Sequence, residues 1–223
     1  NTLLWQQKQE PDDFPKEVKK VFKKYPAIQA AMISSVGLFD EKYISVLSVF
    51  AEVHLLSHST KIPFKNSYAT PQTLGMDRVA LATAAFYQNS GANTLVIDAG
   101  TCITYDMMND YGEYLGGAIS PGLRMRYSAL HEYTAKLPLL EPQDILDIIG
   151  NSTNASIQSG VLNGICREID GVIGQYKSRF EDLTVILTGG DAQILSKRLK
   201  NTIFANSNFL LEGLNYLLEY NKR

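Results

Sequence analysis

The sequence predicts an α/β fold, because two kinds of segment alternate along its 223 residues. Short apolar runs that end in aspartate or glycine, at 95–98 and 183–191, indicate buried strands. The segments 13–25 and 76–89 instead repeat their apolar residues at helical spacing. Strands that are joined through helices favour parallel pairing, so we expect helices packed on a partly parallel sheet.

The first 59 residues predict strands and helices in turn. Residues 1–7 are typical of a strand, and 13–25 predict a helix. Two further strands are expected at 27–37 and 51–59, with a helix at 41–50 between them. A helix between two strands indicates that these strands are parallel neighbours.

A long loop and a helix come next. Segment 62–75 contains two prolines and Asn66 and closes with Gly75, which is typical of a loop. Loops of this length are commonly functional. The helix predicted at 76–89 carries Asp77 in its first turn, where a carboxylate faces the positive end of the helix dipole.

The second half continues the alternation. Segment 101–122 predicts a hairpin with its tip at 109–112, followed by a glycine-rich bend. The apolar run 183–191 predicts one more strand, which ends in glycines. Helices are expected over 123–136, 144–149, 155–179, 191–199 and 207–221.

Composition argues against several classes of partner. The net charge is −2, and the one basic cluster, Lys16 to Lys24, is typical of a solvated helix face, so neither duplex nucleic acid nor an anionic membrane is expected. No apolar run approaches the roughly 20 residues that span a bilayer, which predicts a cytoplasmic location. Cys102 and Cys166 are too few for a disulfide scaffold, and Cys102 is expected to fill a packed position beside a turn.

Four stretches place glycine, aspartate or threonine at the boundary of an element. They are "LGMDR" (74–78), "DAGT" (98–101), "GGAISPG" (116–122) and "TGGD" (188–191). In α/β sheets, ligands gather beyond the carboxyl ends of strands. Glycines let the backbone approach a phosphate closely, and N–H groups and hydroxyls donate to its oxygens. These stretches therefore indicate a phosphate site.

The residues of these stretches allow two interpretations. Asp98 suits a cation or a water and Thr101 suits a phosphate, but the same pair is compatible with an Asx-type turn that binds nothing. Arg78 suits a substrate carboxylate, and Asp77 suits a base that accepts a proton from a hydroxyl. Taken alone, these two residues are more typical of a helix cap and a surface arginine.

Other nucleotide and hydrolase motifs are missing from the sequence. There is no GxxxxGK[ST] loop, no GxGxxG opening a βαβ unit, no HRD or DFG pair and no GxSxG elbow. A P-loop kinase, a Rossmann dehydrogenase and a protein kinase are therefore disfavoured.

Taken in order, the stretches resemble type III pantothenate kinases from about Ser34 to the C-terminus. The resemblance also includes "ISSVG" (33–37), Tyr68 before "GMDR", "GNSTNASIQSG" (150–160) and "LEGLNYLL" (211–218). It implies an actin-like ATPase (ribonuclease H-like) α/β fold with two lobes around a nucleotide cleft. We place the truncated N-terminal lobe, with the substrate motif, at 1–91 and the C-terminal lobe, with the phosphate and adenosine motifs, at 92–223.

The resemblance also assigns roles to residues. Asp77 is implied as the catalytic base, Asp98 as the ligand of a monovalent cation, potassium or ammonium, and Arg78 as a partner of the substrate carboxylate. The implied pantothenate pocket comprises Tyr68, Gly75, Met76, Asp77, Arg78 and Thr153. The implied ATP contacts are Gly100, Thr101, Gly189 and Gly190.

The implied activity is phosphorylation of pantothenate by ATP with Mg²⁺, in a homodimer with active sites near the subunit interface. The family's first strand ends in Asp-x-Gly-Asn-Thr, and this sequence does not contain that segment. A chain that begins at Asn1 is therefore expected to lack proper ATP binding. Two alternatives stay open: another phosphotransferase or phosphohydrolase of the same fold, and a non-catalytic, nucleotide-sensing regulator.

Overall fold

A small parallel pair of strands forms the first part of the fold. In this computed structural model, which describes residues 3–7, 10–35, 40–143 and 147–222, the chain opens with the helix α1. The elements are α1 (Phe14–Lys24), β1 (Ala30–Ile33), α2 (Lys42–Ser48) and β2 (Glu52–Leu55). Strands β1 and β2 pair in parallel, with Ala30 beside Glu52. The predicted order of these four elements and the parallel pairing of the two strands are confirmed.

A six-stranded mixed sheet forms the main body of the molecule. Its strands are β3 (Lys65–Asn66), β4 (Thr94–Ala99), β5 (Cys102–Met108), β6 (Glu113–Pro121), β7 (Thr184–Thr188) and β8 (Phe204–Ala205). The strand order is β3-β6-β5-β4-β7-β8. The predicted hairpin is the antiparallel pair β5 and β6, and β4 has β7 as its parallel neighbour.

Helices cover both faces of this sheet, which confirms the predicted α/β class. They are α3 (Met76–Gln88), α4 (Leu123–Glu132), α5 (Thr153–Lys177), α6 (Ala192–Ser196) and α7 (Phe209–Asn221). Successive side chains of a strand point to opposite faces. Leu95 and Ile97 of β4 accordingly pack with α5, whereas Val96 packs with α3 and α7. No helix within the described ranges is both long and apolar enough to cross a lipid bilayer.

Helices α3 and α7 approach each other at Gly213. A Cβ atom on Gly213 would lie 1.9 Å from the carbonyl oxygen of Ala80, far inside van der Waals contact. Gln88 also donates to Glu212 at 2.6 Å. Because the first turn of α3 carries the "GMDR" stretch, α7 helps to set the orientation of the helix on which the site depends.

Several predictions differ from the structure. Residues 3–7 are not a strand, because no strand of the described chain lies alongside them; Leu3 and Leu4 instead face Leu211 and Tyr216 of α7. The helix predicted at 144–149 is wrong for residues 147–149, which form a bend, whereas 144–146 lie outside the described residues. The last residues of the strand predicted at 27–37, 36 and 37, also lie outside them. The division at residue 91 stays a prediction.

Candidate active site

Two turns meet where β4 and β7 end. These strands are parallel neighbours, and Asp98 lies beside Thr188 in the register. The backbone N–H of Asp191 donates to the carbonyl of Ala99 at 2.9 Å, which ties the turn after β7 to the turn after β4. The structure thus brings two of the predicted stretches, "DAGT" and "TGGD", to one edge of the sheet.

Gly189 allows these turns to approach closely. Its φ is +95°, in the region that favours glycine, and a Cβ atom would lie 2.4 Å from both the Ala99 carbonyl oxygen and Asp98 Oδ1. The absence of a side chain therefore leaves a carboxylate oxygen and a carbonyl oxygen lining one small cradle. Oxygen donors of this kind are the ligands that hard cations prefer.

The end of β6 closes the third side of the site. The N–H of Gly122 donates to the Thr101 carbonyl at 3.1 Å, and a Cβ atom on Gly122 would lie 2.2 Å from the Gly100 carbonyl oxygen. The converging turns line a cavity of about 980 Å³. Its lining residues include Gly100, Thr101, Pro121, Arg124, Arg126 and Gly190. Glycines, a hydroxyl and two guanidinium groups suit a polyphosphate.

An ion-pair network supports the wall of this cavity. Arg126 donates from Nη2 to Glu168 at 2.7 Å and from Nε to the carbonyl of Pro121 at 2.9 Å. Glu168, on α5, also accepts from Ser120 at 2.6 Å. Burial alone would raise the pKa of Glu168, but the hydrogen bonds from Ser120 and Arg126 outweigh it and hold that pKa below its usual value. The carboxylate of Glu168 therefore anchors both Arg126 and the end of β6.

Arg78 is a buried group and not the surface arginine of the alternative interpretation. Its exposed fraction is 5% and that of Asp106 is 1%. Nε of Arg78 donates to Asp106 Oδ1 at 2.7 Å. Burial alone would lower the pKa of Arg78, but the adjacent Asp106 carboxylate raises it above its ordinary value, so the guanidinium stays charged.

Two tyrosine rings lie on one side of the Arg78 guanidinium, because their centroids are only 6.1 Å apart. Its Cζ lies 5.6 Å from the centroid of the Tyr68 ring and 6.0 Å from that of Tyr114. Tyr68 is itself packed against Gly116, where φ is +97° and a Cβ atom would come within 2.9 Å of the ring. The structure therefore brings Tyr68 and Arg78 together, as the sequence resemblance implied.

Asp77 is the second residue of α3, and its side-chain conformation depends on Gly75. Its Oδ1 accepts a hydrogen bond from the Arg78 N–H at 2.8 Å, as an aspartate in the first helical turn often does. A Cβ atom on Gly75 would lie 2.4 Å from this same oxygen. The Asp77 carboxylate is half-buried, and its other oxygen makes no hydrogen bond within the described chain.

The carboxylate of Asp98 has an unusual environment. Burial, followed by the negative charges of Asp77 and Asp106, raises its pKa to about 6. Three carboxylates thus influence one another across the site, with Arg78 as the guanidinium paired with one of them. A bound cation would offset this excess of negative charge.

The other residues predicted for the site lie in three places: the core, the larger cavity and the cavity beside α5. The side chain of Met76 is buried in the core beneath α3, whereas Thr101 and Gly190 are exposed at the cavity. Thr153 is the first residue of α5 and lines a mainly apolar cavity of about 890 Å³, which adjoins the larger cavity at Arg126, Ala129 and Tyr133. No residue of the Asp77 and Arg78 region lines that cavity, so this chain by itself does not bring Thr153 to them.

Sequence reasoning missed Asp106, Tyr114 and Glu168. Asp106 did carry a signal, because a charged residue inside the apolar strand "CITYDMM" is rarely buried without a partner. Tyr114 and Glu168 carried none, since each resembles an ordinary strand or helix residue. No group of three histidine, cysteine, aspartate or glutamate residues within the described ranges is arranged to hold a metal ion.

Comparisons with known proteins find similarity along most of this chain. A profile of the family described as type III pantothenate kinase matches residues 3–175. The chain is 53% identical to a type III pantothenate kinase of Christiangramia forsetii, over all of this chain and 91% of that protein. It is 50% identical to one of Flavobacterium johnsoniae, over 95% of this chain and 86% of that protein.

A solved structure supports the fold. The structure of a Campylobacter jejuni protein, described as a transcriptional activator of the Baf family, is 23% identical and superposes with a TM-score of 0.60. The match covers 92% of this chain and 88% of that one. At this identity the likeness extends to the fold alone.

Proposed function

Because this chain belongs to the type III pantothenate kinase family, we infer that it phosphorylates pantothenate with ATP, the first step of coenzyme A biosynthesis. The family match and the identity of about half the residues to two such kinases carry this conclusion. They favour a kinase over the non-catalytic regulator and over another phosphotransferase of the same fold.

We propose that the pantothenate pocket is built around the start of α3. The buried, charged Arg78 binds the substrate carboxylate, and Tyr68, Gly75 and Met76 form the surrounding wall. Asp77 accepts the proton of the primary hydroxyl, because one of its oxygens is left without a hydrogen-bond partner in the described chain. The single observation that carries this assignment is the adjacency of Asp77 to an arginine that is only 5% exposed.

The phosphates of ATP, with its Mg²⁺, are proposed to lie in the cavity of about 980 Å³. The turns after β4 and β7 form the side of the cavity where the γ-phosphate would meet the hydroxyl of pantothenate. Their proposed phosphate contacts are Gly100, Thr101, Gly189 and Gly190. Phosphoryl transfer depends mainly on positioning and on neutralising charge, and the two cavity arginines are suited to the second task.

Asp98 is the proposed ligand of a monovalent cation, potassium or ammonium. The cradle beside Gly189 supports this assignment, because a Cβ atom would fill the space that the cation needs. When bound, the cation would supply positive charge next to the phosphates. Asp98 would stay ionised in its presence, since an opposite charge favours the charged form.

A homodimer is proposed to complete the site. Thr153 is implied as a substrate contact, yet it lines a cavity whose walls include neither Asp77 nor Arg78 of the same chain. Two subunits that bring the start of α5 of one to the start of α3 of the other would reconcile these positions. We propose a cytoplasmic location, where ATP and pantothenate meet.

The experiment that tests the site assignment compares the protein with its Asp77→Asn variant. Pantothenate-dependent release of ADP is measured with and without potassium. We expect potassium-dependent activity that falls by at least about a hundredfold in the variant, the scale of general base catalysis, with an unchanged unfolding temperature. Full activity in Asp77→Asn would contradict the assignment of the base.

A further inference from the structure

Asp106 is the central acceptor of a buried network. Its Oδ1 accepts from Arg78 Nε and from the Tyr114 hydroxyl, each at 2.7 Å. Its Oδ2 accepts from the Thr104 hydroxyl at 2.8 Å. These donors come from α3, β6 and β5, so the carboxylate joins three elements at one point.

The network satisfies Asp106 but leaves part of Arg78 unsatisfied. In the described part of the chain, Nη2 of Arg78 is buried and has no hydrogen-bond partner. A buried donor without a partner is costly, and native proteins rarely keep one without a reason. Arg78 thus binds Asp106 through Nε, and its Nη2 is left available to bind a ligand.

The position of that nitrogen is restrained from two directions. The Nε hydrogen bond fixes one edge of the planar guanidinium, and the rings of Tyr68 and Tyr114 lie together on one side of it. Without Asp106, the long arginine side chain would be able to rotate away. The Tyr114 and Thr104 hydroxyls fix the Asp106 carboxylate in turn, because each holds one of its two oxygens.

We propose that Asp106, held by Tyr114 and Thr104, is a positioning residue that presents Nη2 of Arg78 to the carboxylate of the substrate. The network thereby determines the preference of the enzyme for a carboxylate-bearing substrate over a neutral one. This inference rests on the proposed function, in which Arg78 binds the pantothenate carboxylate. Asp106 itself does not contact the substrate.

The test compares two substrates in variants that keep the buried charge pair. Tyr114→Phe and Thr104→Val each remove one hydroxyl from Asp106 and leave Arg78 paired. The kcat and KM values are measured for pantothenate and for its alcohol analogue, in which CH₂OH replaces the carboxylate. Tyr127→Phe is the matched control, because that buried hydroxyl bonds Gln158 and has no contact with Asp106.

The expected result is a fall of about tenfold in the preference for pantothenate over the alcohol in Tyr114→Phe, the size of one charge-assisted hydrogen bond. Thr104→Val should show a smaller fall. The change should appear in the KM for pantothenate, with the KM for ATP unchanged. Tyr127→Phe should leave the preference as it is, because a general loosening of the core does not distinguish the two substrates.

Arg78→Gln separates failure of this inference from failure of the proposed function. If Arg78→Gln abolishes the preference while Tyr114→Phe and Thr104→Val both retain it, the positioning role of Asp106 is overturned and the carboxylate contact stands. If Arg78→Gln also retains the preference, Arg78 does not bind the carboxylate and both are overturned. Unfolding temperatures of all variants identify any that fail to fold.

Discussion

Gly189 and Asp98 are in a relationship that only a glycine permits: a Cβ atom on Gly189 would lie 2.4 Å from Oδ1 of Asp98. The two residues lie at the ends of adjacent parallel strands, and Gly189 has a φ of +95°. The shape of the cradle therefore depends as much on a missing side chain as on the carboxylate.

Replacing Gly189 with alanine should damage the cradle. The added methyl group meets a backbone carbonyl and a carboxylate, and alanine at positive φ is strained, so we expect a loss of about 1–3 kcal/mol in the free energy of unfolding. Urea denaturation measures this loss. Gly190→Ala is the matched control, because a Cβ atom there has no neighbour within 4 Å, and its unfolding midpoint should hardly move. Equal effects of the two substitutions would disprove the steric argument.

The stability of the protein should respond to pH through Asp98. Its pKa is raised from 3.8 to about 6, so between these values the folded protein binds more protons than the unfolded chain. The free energy of unfolding should therefore fall as pH rises through this window. The fall is complete above pH 6, where Asp98 is ionised in both states. Thermal unfolding of the wild type and of Asp98→Asn in choline chloride, between pH 4.5 and 7.5, checks this expectation. The variant should lack the fall in stability that ionisation of Asp98 causes.

A monovalent cation should offset the loss of stability that ionisation of Asp98 causes. Potassium stabilises only the ionised carboxylate, so we expect it to raise the unfolding temperature at pH 7.5 clearly more than at pH 5. The comparison salt is choline chloride at the same concentration, and Asp98→Asn should show no difference between the two salts. A potassium effect of equal size at both pH values would argue against binding at Asp98.

Removing the charge of Glu168 should weaken ATP binding. In Glu168→Gln, Arg126 loses its ionised partner, and the end of β6 that lines the phosphate cavity is held less firmly. We expect the KM for ATP to rise about tenfold and the KM for pantothenate to change little. Glu219→Gln breaks an exposed ion pair with Lys222 and serves as control. An unchanged KM for ATP would show that the network is only structural.

The contact between α3 and α7 should tolerate no side chain at Gly213. Alanine there would place a methyl group 1.9 Å from the Ala80 carbonyl oxygen, and we expect destabilisation of at least about 3 kcal/mol. Gly174→Ala, in the exposed part of α5, has no neighbour within 4 Å and should stabilise by about 0.5–1 kcal/mol through helix propensity. Calorimetry of both variants distinguishes packing from propensity.

The sequence predicted the long elements well because their signals are periodic. The helix at 76–89 and the hairpin at 101–122 both appear within a few residues of their predicted bounds. Strands β3 and β8 have two residues each, which is too short for any period to show. Residues 3–7 have the composition of a strand, but composition does not supply the neighbouring strand that hydrogen bonds require.

The site was only partly predictable for a different reason. Gly189, Asp98 and Thr101 lie at the ends of recognisable strands, so sheet topology brings them together. The pairing of Arg78 with Asp106 joins residues 28 positions apart, and neither spacing nor composition indicates it. Such partners are set by how α3 packs on β5, which is a property of the folded chain.

The contact between α3 and α7 also bears on when the site forms during synthesis. Gln88 and Glu212, which join these helices, are 124 residues apart. After the ribosome has synthesised "GMDR", more than half of this sequence must still be synthesised before α7 can pack against α3. Until then the short helix has few local contacts to orient it, and long-range closures of this kind are slow. The end of α3 that carries the proposed substrate residues is thus expected to become ordered late, after the strands it packs on.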